Sequence, residues 1–272
     1  NNAETDYVGL FRSLSLDGAV ENTGVINSYF NGNDKVGGVV GYNYRGTITN
    51  CYNTSDVNGV DCVGGVTSCN YSNCTITNCY SNNKVKAYGN FVGGIVGQTY
   101  GIINSCGNYG VIEASGNYVG GVVGKSTNTI LNSYNLTSVN AEGEGIGGIV
   151  GQSGYANIVN CFNIGVVVGN TMVGGIVGDN LGVITNCYNI GKVSGTQNFV
   201  GSLIGRNAAS LNPNFYLLAS ASCHALIQGA VGSEVNAFVT NQSVNATAFN
   251  SKFMIPSTRI SGVEVDDFLE AL

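Results

Sequence analysis

One histidine, ten basic residues and no long apolar run are all that this 272-residue chain offers to the commonest kinds of protein chemistry. Each shortage closes a class of function. A zinc peptidase needs HExxH or an equivalent ligand cluster, and a single imidazole cannot supply it. A Ser–His–Asp triad would have to use His224, in the segment ASCHAL, where no nucleophile turn is recognisable. With ten Lys and Arg against sixteen Asp and Glu, a formal charge of −6 and a pI near 4.6, a phosphate backbone finds no positive track, which excludes nucleic acid as a partner. No run of about 18 apolar residues is present to span a bilayer, and NNAETDY at the start lacks the basic-then-apolar pattern of an export signal.

What the chain does have is Gly (41), Asn (38) and aliphatic residues. Charged residues make up 10%, well under the roughly 25% of an average domain. Glycine richness can mean disorder, but 43% hydrophobic residues, many of them Val and Ile, point to an ordered all-β chain. The nine cysteines follow the internal repeat better than any ligand spacing, even the evenly spaced Cys69, Cys74 and Cys79, so they read as small buried thiols in a reducing or anaerobic setting. No metal and no cofactor is expected.

Aligned on its glycine pairs, the chain places Gly9, Gly37, Gly64, Gly93, Gly120, Gly147, Gly174 and Gly201 in one column at a period near 27 residues. A second column holds Asn27, Asn50, Asn78, Asn104, Asn132, Asn160, Asn186 and Asn214. Val25, Ile48, Ile76, Ile102, Ile130, Ile158 and Ile184 precede it by two residues, and Tyr29, Tyr52, Tyr80, Cys106, Tyr134, Phe162, Tyr188 and Tyr216 follow it by two. Seven residues after it stand Val57, Val85, Val111, Val139, Val167 and Val193. A fixed period of this size is the signature of a solenoid or an array, and a propeller blade would need about 40 residues.

Each copy carries three β-like runs, of the types VGGIVG, TITNCYN and GKVSG, separated by Gly, Asn and Ser. The expected fold is therefore an all-β parallel β-helix, a β-solenoid of about eight 27-residue coils with three short strands per coil. Stacked about 4.8 Å apart, eight coils make a rod roughly 38 Å long. Residues 1–218 form the repeats, and 219–272 a C-terminal cap in which VEVDDFLEAL reads as a short terminal helix. The Asn column is expected at a bend, its amides pointing inward as a ladder that satisfies backbone groups. Whether the Cys or the Tyr column faces inward stays open.

The phrases VGGVVG, VGGIVG and TITNCYN resemble the GLUG motif repeats of bacterial surface and secreted proteins, which occur in non-catalytic regions of IgA-specific metallopeptidases and in adhesin-like proteins. The resemblance spans residues 7 to about 218, with departures at Leu10–Arg12, Thr67–Ser68 and Ser202. It implies a non-catalytic repeat module at the cell surface or outside the cell: an adhesin, a ligand-display rod or a spacer. Partners of that kind would be a host glycan or matrix protein, and solenoid ends also allow end-to-end or side-by-side self-association.

Other motifs fall short. GEGIGG, at 143–148, matches GxGxxG but runs into a strand, not a helix, and GGVVGKST, from Gly120, lacks the first glycine of a phosphate loop. The alternative reading is a carbohydrate-binding or carbohydrate-cleaving β-helix, since β-helices also house polysaccharide-cleaving enzymes, but Asp56, Asp61, Glu113, Glu142, Glu144 and Asp179 fall in different coils or lack a basic partner for cleavage. A binding surface is expected where the copies differ most, on the turn edge after the VGGxVG strand: Tyr42, Asn43, Arg45, Gln98, Tyr100, Lys125, Asn128, Asp179 and Asn180.

Overall fold

A computed structural model describes residues 5–209, and in it every strand pairs in parallel with its counterpart one repeat away. Five ladders run along the axis, one of eight strands and four of seven, so the chain makes about seven full turns of a parallel β-solenoid. Among the described residues there is no helix. The expected cap at 219–272 with its helix, together with Asn214, Tyr216 and His224, lies outside them.

One turn shows the plan: Val36–Gly37, Val40–Asn43, Thr47–Thr49, Tyr52–Asn53 and Asp56–Gly59. Five strands form where three runs are legible, because two of the runs break. VGGVVG is interrupted after Gly37, and TITNCYN is interrupted at Asn50, whose φ of 53° turns the chain through the left-handed region. Asn tolerates that region better than most L-residues, because its short polar side chain can hydrogen-bond locally.

The glycine column holds in bonded register: Gly37, Gly64, Gly93, Gly120, Gly147, Gly174 and Gly201 follow one another, and the Val8–Val36 bridge sets Gly9 at their head. The asparagine column needs correction. Its members by register are Asn22, Asn50, Asn78, Ser105, Asn132, Asn160 and Asn186, all with φ between 48° and 55°. Asn27 lies beyond the column, and Asn104 stands one residue before it. Coil lengths vary by a residue or two, and counting alone does not place such slips. The same slip leaves Ile102 and Val111 exposed, while Ile103 and Ile112 occupy the core positions.

This column also faces outward, not inward. Its amides bond along the surface, Asn132 Nδ2 to Asn104 Oδ1 at 3.0 Å and Asn160 Nδ2 to Asn132 Oδ1 at 3.1 Å. The inward amides stand three residues later, at Asn53, Asn108, Asn135, Asn163 and Asn189, and a second inward ladder lies on another strand, at Asn43, Asn70, Asn180 and Asn207. Most of them close their own turn and hand a hydrogen bond to the next coil: Asn135 Nδ2 donates to Thr137 O and to Asn163 Oδ1, both at 2.7 Å. Around them the core is aliphatic, with Val36, Val39, Val40, Ile48 and Val57 filling one coil. The cysteines Cys51, Cys79, Cys106, Cys161 and Cys187 form one inward column, interrupted by Ser133.

In most coils the second glycine of the pair and the inward asparagine are one device. A Cβ at Gly148 would sit 2.4 Å from Asn163 Cγ and 2.1 Å from Gly175 O, so the amide ladder fits only against a glycine wall.

Candidate functional site

In a repeat whose core columns are fixed by packing, function has to sit where the columns vary. Two neighbouring columns do so. The first is the third residue of the strands beginning at Val40, Thr67, Val96 and their counterparts: Tyr42, Cys69, Gln98, Lys125, Gln152, Asp179 and Arg206, in bonded register. The second is the residue before each VG strand: Tyr7, Lys35, Cys62, Phe91, Tyr118, Gly145, Met172 and Phe199. All eight take φ between 52° and 72°. For L-residues that conformation costs roughly 1–2 kcal/mol each, and seven of the eight nonetheless carry side chains.

These side chains interlock into one strip. Tyr7 meets Tyr42 edge-on at 5.6 Å between ring centroids, and Lys35 Nζ lies 4.8 Å over the Tyr7 ring. Phe91 stacks on Tyr118 at 5.7 Å, with Lys125 Nζ 5.5 Å over the Phe91 ring. Farther along, Arg206 grips Asp179 with two bonds, Nε to Oδ1 at 2.8 Å and Nη2 to Oδ2 at 2.7 Å, while Gln152 Nε2 donates to Asp179 Oδ2 at 3.1 Å. Burial disfavours the Lys35 ammonium, but the facing Tyr7 phenol and Cys69 and Cys62 thiols outweigh it and hold its pKa above the ordinary value. Burial raises the Tyr42 phenol, with the nearby Cys69 and Tyr7 adding to it.

Beside the strip, the turns after the same strands carry an exposed tyrosine stack. Tyr44 and Tyr71 lie 5.3 Å apart and nearly parallel, and Tyr71 and Tyr100 lie 5.9 Å apart and tilted. Arg45 sits 5.6 Å over Tyr44, and Gln98 Nε2 donates to the Tyr100 hydroxyl at 2.8 Å, tying the stack to the strip. The rings cover one another's faces, so what they offer to solvent is mainly edges and hydroxyls.

The expected turn edge therefore divides. Tyr42, Gln98 and Lys125 lie half-buried on the strip, within strands and not turns. Arg45 and Tyr100 are exposed, and Asn128 is half-buried, its amide donating to Tyr100 O at 3.1 Å. Asn43 and Asn180 are buried in the inward amide ladders, and Asp179 is buried beneath Arg206. Strand alternation gives the reason, since the residue after an outward one faces the core. Sequence reasoning missed the left-handed column and Cys69. The available signal was the bulky, changing residue before each VG.

The aromatic column that follows the bend is mixed. Tyr134, Phe162 and Tyr188 are buried and stacked at 5.2 and 5.1 Å, whereas Tyr52 and Tyr80 are half-exposed and stacked at 5.0 Å. By register Gly107, not Cys106, belongs to it, and Tyr109 fills the space with its hydroxyl bonded to that of Tyr134. Tyr29 is likewise out of the column, because Gly24 pairs with Tyr52. Among the described residues no cluster of His, Cys, Asp and Glu is placed to hold a metal ion, and no helix is long and apolar enough to cross a membrane.

Comparison with known families gives one match: the GLUG motif, over residues 32–58, which is one complete coil. The bonded register carries the same glycine and core columns through the other coils as far as Gly201. No curated protein and no solved structure matches significantly.

Proposed function

We propose that this array of coils around a GLUG motif is a non-catalytic repeat module of a bacterial surface or secreted protein, a rod that displays side chains to a partner. One observation carries the reading: side-chain chemistry changes from coil to coil along the strip from Tyr7 to Arg206, while the glycine and core columns beside it repeat. A scaffold that only spaced two ends would leave such a strip free to carry any small polar residue. Here it carries interlocked aromatic rings and cations over left-handed backbone.

The partner this strip suits is a polar polymer laid along the axis, a host glycan or an extended matrix-protein segment, with Tyr42, Gln98 and Lys125 beneath it and the hydroxyls of Tyr44, Tyr71 and Tyr100 at its side. The test is a glycan and matrix-protein binding screen, repeated with Lys35→Ser, Gln98→Ser, Tyr100→Ser and Lys125→Ser combined. Binding by the unmodified chain that falls at least tenfold in the variant supports the strip. Binding that survives unchanged moves the site elsewhere, and release of sugar by the unmodified chain replaces the reading with a carbohydrate-cleaving one.

A further inference from the structure

We propose that Tyr44, Tyr71 and Tyr100 are an oxidative modification site, at which a peroxidase-class one-electron oxidant couples neighbouring rings into dityrosine and so staples successive coils together. The inference rests on ring geometry and exposure and is independent of the partner-binding reading.

The three rings stand at one turn position in three consecutive coils. Backbone bonds fix that register, with Tyr71 N donating to Asn43 O at 2.9 Å and Tyr100 N to Asn70 O at 2.8 Å. In the next two coils the same position holds Thr127 and Gly154, whose N–H groups donate to Thr99 O at 3.2 Å and Ser126 O at 2.7 Å. The coil therefore closes without a ring at this turn, and packing does not account for three in succession. All three lie at the surface, Tyr44 44% exposed and Tyr71 and Tyr100 42% each. Their centroids are 5.3 Å apart at 23° for Tyr44 and Tyr71, and 5.9 Å apart at 52° for Tyr71 and Tyr100. Exposure lets an oxidant reach each phenol, and contact gives each radical a second phenol before it meets another molecule.

The other tyrosines lack one property or the other. Tyr29, Tyr88 and Tyr155 are exposed, but no second ring stacks on them among the described residues. Tyr134 and Tyr188 are buried beside Phe162, which has no hydroxyl. Tyr7 with Tyr42, and Tyr80 with Tyr109, are half-buried edge-on pairs. Tyr52 lies flat on Tyr80 at 3°, and Gly24 backs it so closely that a Cβ there would fall 2.2 Å from Tyr52 Cζ. A ring clamped in that way cannot tilt to bring an ortho carbon onto its neighbour, which the new bond requires.

The chemistry balances with hydrogen peroxide as the terminal oxidant. Its O–O bond breaks at the peroxidase, and two phenols each give up one electron and one proton, so that two waters and two phenoxyl radicals result. The radicals join by a C–C bond between carbons ortho to the oxygens, and the hydrogen on each of those carbons moves to its own oxygen, which restores both aromatic rings. Two tyrosines lose two hydrogens in all.

The test treats the full, folded chain with a haem peroxidase and hydrogen peroxide in dilute solution. The monomer fraction is then isolated, reduced, alkylated and digested with trypsin, so that only a bond that survives reduction joins peptides. Cleavage after Lys35, Arg45, Lys84, Lys86 and Lys125 places Tyr44 in peptide 36–45, Tyr71 in 46–84 and Tyr100 in 87–125. The expected result is that 46–84 is recovered joined to 36–45 or to 87–125, two hydrogens lighter than the separate pair, with dityrosine fluorescence. Tyr71→Phe, which removes the phenol shared by both pairs, should abolish the joined peptides from the monomer, whereas Tyr155→Phe should leave them unchanged. Joined peptides that persist in Tyr71→Phe, or an unmodified monomer whose three peptides are recovered separately, would overturn the proposal.

Discussion

At the scale of single residues, two kinds of asparagine do different work three positions apart. Asn132 turns the chain at φ 48°, and its exposed side chain makes only surface hydrogen bonds, to Asn104 and from Asn160, so its value is mainly conformational. Asn135 faces inward, accepts from Asn108 Nδ2 at 2.7 Å and donates to Thr137 O and Asn163 Oδ1. Asn135→Leu should therefore strand buried polar groups on both neighbouring coils, at about 1–3 kcal/mol for each group left unpaired. Asn132→Gly keeps the left-handed bend and should lie within about 0.5 kcal/mol of the parent, whereas Asn132→Val forces a β-branched residue into it at a cost of roughly 1–2 kcal/mol. Urea titration of the three variants checks the ranking. Equal midpoints for Asn135→Leu and Asn132→Gly would mean that the inward ladder carries no stability.

At the scale of the element, the coil was legible and its internal breaks were not. Period, parallel stacking and the glycine register follow from recurrence, because a side chain that stacks on its own copy must recur at the coil length. A bend at the Asn column is expected from the sequence, and such a bend resets the alternation; only the structure fixes which amide then faces inward, and it is Asn53, not Asn50 itself. The variable strip was half-visible. Tyr42, Gln98, Lys125 and Asp179 were seen as one changing position, but no periodicity in the sequence shows that the residue before each VG folds back over them. The reason for the second glycine was also hidden, since Gly148 and Asn163 are far apart in the sequence and meet only across the coil. Gly148→Ala should consequently be severe, because its Cβ would meet a backbone oxygen at 2.1 Å. Gly154→Ala, whose nearest neighbour would be a Thr127 methyl at 3.4 Å, should be nearly neutral. Thermal melts of the two glycine variants decide it, and comparable losses in both would show that the corner has room.

At the scale of the whole molecule, the interior holds stacked columns of thiols and phenols, and this ties stability to alkaline pH. Cys161 is pushed well above the ordinary thiol value by burial and by the neighbouring Cys187, and Cys79 by its hydrogen bond to Cys106 together with burial. Burial likewise raises Tyr134 and Tyr188. These groups ionise only in their neutral-to-anionic direction, and their folded pKa values lie above the unfolded ones. Their contribution is therefore complete below the unfolded values, near 9 for thiols and 10 for phenols, and is lost as pH rises beyond them. Each such group removes up to about 1.4 kcal/mol per pH unit once its unfolded form has ionised. With four or more acting together, a melting temperature that is level near pH 8 should fall steeply from pH 9 to pH 11. Phenolate absorbance provides the internal check. The buried rings of Tyr134 and Tyr188 should ionise only as the β-sheet signal collapses. A single phenolate transition completed with the sheet signal intact would mean that solvent reaches the stacked tyrosines, and the alkaline loss of stability would then need another origin.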